Sequence, residues 1–116
     1  MVEFLAVGLL VVTALLTVAQ LATWVWARNV AVNAAHEGAR TAAEAGRAPR
    51  EGADRTRELL RDGLGRGAAS FHVRAAGDGQ VVEVTASGRA PALVPFLPPL
   101  EVTARATAFD EDGGFS

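Results

Sequence analysis

A chain of 116 residues with a formal net charge of −2 and no cysteine excludes several classes of function at once. Without thiols there is no disulfide, zinc-thiolate site or thiol nucleophile. Nucleic acid is disfavoured as a partner, because the 11 arginines are interleaved with 13 carboxylates instead of being gathered into a basic surface.

The apolar residues crowd into the first quarter of the chain. From Phe4 to Ala27 there is no ionisable side chain, and as a helix that stretch is about 36 Å long, enough to cross a hydrocarbon core of roughly 30 Å with some tilt. Trp24, Trp26 and Arg28 stand at its far end, where amphipathic rings and a snorkelling guanidinium mark the lipid–water boundary. A buried core helix is the weaker reading, since no other segment is apolar enough to wrap it. A cleaved signal peptide also fits less well: the basic n-region is missing, the apolar run is too long, and helical sequence continues past Arg28. Membrane lipid is therefore the first expected partner. No basic residue precedes the span to set its orientation, but long domains cross membranes largely regardless of charge, so the C-terminal part is expected outside the cytoplasm.

Strong helix formers without proline run from Asn29 to Ala45, extending the membrane helix by about four turns. Ala31, Ala35, Gly38, Ala39, Ala42 and Gly46 recur at spacings of three and four. They form a narrow face open to close approach by another backbone, or simply reflect an alanine-rich composition. Gly46 to Pro49 reads as a stop and restart, with Pro49 in the first turn of a second helix. Ala53, Thr56, Leu60 and Leu64 then share one stripe, with Glu51–Arg55 and Glu58–Arg61 at ion-pair spacing on the solvated side. Gly63, Gly65 and Gly67 are expected to end this helix.

Beyond it the period becomes two. Phe71, Val73 and Ala75 alternate with polar residues, Gly77-Asp78-Gly79 makes a tight turn, and Val82, Val84 and Ala86 alternate again, which describes a β-hairpin. A third strand over Leu100–Phe109 puts Leu100, Val102, Ala104, Ala106 and Ala108 on one face. The fold class is thus α+β: a long N-terminal transmembrane helix, a short amphipathic helix and a three-stranded antiparallel sheet whose apolar face needs a helical cover. The chain divides into an extended helix over 1–46, a small α+β domain over 47–109 and a disordered tail over 110–116. Between the last two strands four prolines rule out regular structure over 91–99. Leu93, Val94, Phe96 and Leu97 in that loop either tuck over the sheet or form an exposed apolar contact with lipid or a neighbouring subunit.

Chemistry has little to work with. His36-Glu37 does not extend to a zinc-binding H-E-x-x-H, because Ala39 and Arg40 stand where the second histidine is needed. His72 sits on the hairpin as a solvent-facing residue. No phosphate loop or nucleophile elbow is present, so no catalytic site, metal, cofactor or small-molecule substrate is expected. Glu3, at the start of the apolar run, is the one ionisable group that stands out. It either favours the helix N-terminus at the surface or pairs with a positive group of another subunit.

Val2-Glu3-Phe4 before the apolar run, Arg28-Asn29 after it, and Asn33-Ala34-Ala35-His36-Glu37-Gly38-Ala39-Arg40 beyond resemble the TadE-like proteins, pilin-like components of tight-adherence (Flp-type) and related type IV pili. Members show a V-E-F start and an A-A-x-E-G-A-R segment just past the membrane. The resemblance covers roughly the first 45 residues. It implies a minor pilin or pseudopilin in the bacterial inner membrane or a surface pilus, with other pilin or pseudopilin subunits and a pilus assembly platform as partners. It further implies that Glu3 neutralises the N-terminal amine of a neighbour. In that family the glutamate is fifth in the mature chain after a peptidase-cleaved leader; here it is third, so either the start lies upstream or the protein is an unprocessed member. The runner-up reading is a membrane-tethered module presenting its sheet to an extracellular ligand.

If the proline-rich loop is a subunit contact, Phe96→Asp weakens assembly, read by crosslinking in membranes, while the circular dichroism of the purified protein stays unchanged.

Overall fold

The computed structural model describes residues 1–44, 48–77, 81–91 and 100–109. It contains a long helix α1 (Val2–Ala43), a second helix α2 (Pro49–Leu64), a 3-10 turn (Gly65–Ser70) and strands β1 (His72–Gly77), β2 (Val81–Arg89) and β3 (Glu101–Phe109). The α+β architecture follows the hydrophobic periodicity of the sequence. Gly46, the turn residues Asp78 and Gly79, the loop residues Leu93, Val94, Phe96 and Leu97, and the tail from Asp110 all lie outside the described residues.

Helix α1 is continuous across the change from apolar to mixed sequence, because nothing in it breaks the ladder: there is no proline, and the hydroxyls of Thr13, Thr17 and Thr23 donate to the carbonyls four residues back at 2.8–2.9 Å. It makes the molecule a rod 75 Å long and only 23 × 18 Å across. The sheet is antiparallel in the order β1-β2-β3. Its inner face is built from small rows: Ala75, Val84 and Ala106 are cross-strand neighbours, as are Val73, Ala86 and Ala104. Both helices cover that face, α1 over β2 and β3 and α2 over β1. The core between them is mostly alanine and valine, with Leu60 the largest fully buried apolar side chain.

Such a core requires short distances, and glycines supply them. Gly38 of α1 faces Gly52 of α2 so closely that a Cβ on Gly52 would lie 2.5 Å from the Gly38 carbonyl oxygen and 2.7 Å from the Ala42 Cβ. A Cβ on Gly38 would run into the Thr56 hydroxyl and come within 2.6 Å of the Gly52 carbonyl oxygen. Thr56 is fully buried at this crossing, its hydroxyl 2.8 Å from the Gly52 carbonyl and 3.2 Å from that of Ala34. The hydroxyl's need for an acceptor is therefore met from either helix.

The structure corrects three local expectations. Gly63 does not end α2: the helix continues to Leu64 and stops at Gly65, which takes φ +58°, a conformation suited to glycine. Gly63 instead leaves room for Val30 of α1, whose Cγ1 would be 2.6 Å from a Cβ there. The surface ion pairs also differ, with Arg55 on Glu58 and Arg57 on Asp54, both three residues apart. Finally, helix α1 closes at Ala43, two residues short of the expected limit.

Gly38→Val is expected to lower stability by at least about 1–3 kcal/mol, the usual cost of overpacking, in chemical unfolding of the detergent-solubilised protein. Gly8→Ala, where a Cβ meets nothing within 4 Å, is expected to be neutral or stabilising by up to about 1 kcal/mol.

Candidate functional site

Two surfaces of α1 carry the features that the sequence singles out, and they meet at one level of the helix. Below that level every residue from Met1 to Val18 is exposed, including large apolar side chains such as Phe4, Leu9, Leu10 and Leu15. None of the most apolar 18-residue stretch is buried, and α1 is long and apolar enough to cross a membrane. Exposed apolar area of this extent is far beyond what a water-soluble monomer presents. The helix half is thus built for a nonaqueous or protein environment. Glu3 lies in its first turn, exposed near the tip.

Above Val18 the small domain closes on the helix. The clasp consists of two side chains from α1. Gln20, the only amide in the apolar run, is buried and donates from Nε2 to the Pro91 carbonyl at 3.1 Å. One turn further, Trp24 is half-buried and donates from its indole nitrogen to the Glu101 carbonyl at 2.8 Å. Glu101 opens β3, an edge strand, so the indole caps a carbonyl at the sheet margin. Trp26 and Arg28 remain exposed on the same turns.

Higher still, Ala31, Ala35, Gly38, Ala39 and Ala42 are all buried, together with Ala27 and Ala34, at the contact with α2 and the sheet. The backbone that approaches this small-residue face in the structure is that of α2. His36 and Arg40 stay outside it.

Sequence reasoning missed Gln20 and Gly63. A single amide in an otherwise apolar run is a signal that could have exposed the first: a buried amide needs a partner, and one must come from elsewhere in the chain. Gly63 had no such marker, because the side chain it accommodates lies 33 positions earlier. Among the described residues no group of three or more His, Cys, Asp or Glu side chains could hold a metal ion.

The family model described as TadE-like protein matches residues 1–40. That range takes in the exposed apolar half, the Gln20–Trp24 clasp and most of the small-residue face, and it ends before α2 and the sheet. No curated protein and no solved structure matches the chain.

Trp24→Phe keeps the ring and removes the indole N–H, leaving the Glu101 carbonyl without its protein donor. A loss of about 0.5–1.5 kcal/mol is expected, seen as a lower thermal midpoint and as faster amide exchange at the start of β3.

Proposed function

We propose that this chain, whose first 40 residues carry the TadE-like pattern, serves as a pilin-like structural or assembly subunit of a tight-adherence or related type IV pilus. The observation that carries the reading is the division of one continuous helix into a wholly exposed apolar half and a half clasped by a small domain. The apolar half lies in the bacterial inner membrane until other subunits cover it, and the domain stands outside the cytoplasm. Trp24, Trp26 and Arg28 lie at the lipid boundary. Glu3, at the tip, meets the N-terminal amine of a neighbouring subunit. Leu93, Val94, Phe96 and Leu97 add a lateral contact. In this role the protein performs no catalysis and needs no cofactor; its work is burial of surface against other subunits.

A second reading has one feature in its favour. The outer side of the sheet holds a cleft of about 460 Å³ lined by Ser70, His72, Ser87, Arg89, Glu101 and Thr103, the polar kind of surface that a membrane-tethered binding module presents.

Two measurements in the native host separate the readings. A mature N-terminus that makes Glu3 the fifth residue, together with loss of subunit crosslinking in Glu3→Gln at unchanged membrane insertion, is the outcome expected of a pilin-like subunit. An intact Met1 with assembly indifferent to Glu3→Gln would discard that role in favour of the tethered module.

A further inference from the structure

The clasp fixes where the domain sits along the helix, and that position has a consequence for its lower rim. The exposed apolar stretch below Gln20, Val2 to Val18, is roughly 26 Å long at 1.5 Å per residue, short of a hydrocarbon core of about 30 Å. A helix that spans the core therefore draws the base of the domain down into the headgroup layer. This step rests on the membrane reading given above.

Several arginines occupy that base. Arg28 lies one turn above Trp24 on α1 and is exposed. Arg89 is opposite Glu101 in the sheet register, and its backbone is tied to the Ser70 hydroxyl at 3.1–3.2 Å. Arg66 adjoins Gly67, where a Cβ would lie 3.3 Å from Pro91, the residue that Gln20 holds. Arg61 and Arg66 also line a cleft of about 280 Å³ whose other walls include Leu60 and Phe71.

Further up the domain, Arg40, Arg55, Arg57 and Arg105 are matched to Glu37, Glu58, Asp54 and Glu83. Among the described residues Arg28, Arg61, Arg66 and Arg89 form no ion pair, a property shared only by Arg50 and Arg74 elsewhere. Among the described residues the carboxylates at the base are Asp62 and Glu101, which leaves a cationic excess there. Along the rest of the domain the described charges balance: Arg40, Arg50, Arg55, Arg57, Arg74 and Arg105 stand against Glu37, Glu44, Glu51, Asp54, Glu58 and Glu83.

We propose that the base of the domain is a docking surface for anionic phospholipid headgroups, with Arg28, Arg66 and Arg89 as the phosphate-facing cations. Guanidinium groups bind phosphate in a two-pronged geometry, and a cation at a lipid surface gains from every anionic neighbour. The surface orients the domain against the membrane and selects the lipids around the helix.

The two tryptophans of the chain both stand at this base, so lipids with brominated acyl chains report which lipid touches it. The full-length protein is reconstituted in mixed vesicles of phosphatidylcholine and phosphatidylglycerol, with one or the other brominated. Quenching by phosphatidylglycerol is expected to reveal a preference of about fivefold or more. The preference falls to parity in the triple variant Arg28→Gln, Arg66→Gln, Arg89→Gln and survives in the corresponding triple lysine variant. Equal quenching by both lipids in the wild type overturns the proposal, as does a preference that persists in the glutamine variant; an acidic surface of another subunit would then be the better partner for these arginines. Quenching by neither lipid removes the membrane reading itself, and the inference with it.

Discussion

The backbone contact between Gly38 and Gly52 sets the geometry of everything above the apolar half of α1. With a side chain at either position the two helices would stand further apart, and a core made of alanine and valine could no longer reach across the gap. The choice of residues is consistent at every layer: alanines on α1, glycine and threonine on α2, and buried valines set beside alanine or glycine across the sheet. Small side chains gain little from hydrophobic transfer individually, so a domain of this size depends on fitting them without voids. The buried Thr56 hydroxyl adds a polar reason for the helices to keep that separation.

Much of this was legible in the sequence because it is periodic. The alternation of Val82, Val84 and Ala86 named the buried face of β2, and Ala53, Thr56, Leu60 and Leu64 named that of α2; in both cases the period follows from side-chain direction, which is local. The small-residue face from Ala31 to Ala42 was equally visible, although its partner was not. What escaped depends on residues distant in sequence. Gly63 reads as a helix terminator until Val30 is placed against it. Gln20 reads as an oddity until Pro91 arrives 71 positions later. Arg55 has carboxylates both before and after it, and spacing alone does not choose between them, since each surface pair is worth no more than about 1 kcal/mol. The 3-10 turn after Gly65 arises where α2 must change direction to enter β1, a demand set by the sheet.

The apolar half of α1 and the domain also differ in how they satisfy polar groups. Below the clasp, the hydroxyls of Thr13 and Thr17 bond back to their own helix, so neither side chain presents an unmet donor to whatever surrounds the stretch. At the clasp, donors reach out to carbonyls of the domain instead. The two habits overlap within one turn, between Gln20 and Trp24, where Thr23 still bonds back to Ala19. The stretch that matches the TadE-like family model, residues 1–40, spans both habits.

Because α1 passes through the clasp without a hinge, its two halves act as a lever. A domain that reaches some 36 Å up the helix from Gln20 moves at its far end by roughly 6 Å for every ten degrees or so that the apolar half leans. Orientation at one end is converted to displacement at the other with nothing in the backbone to absorb it.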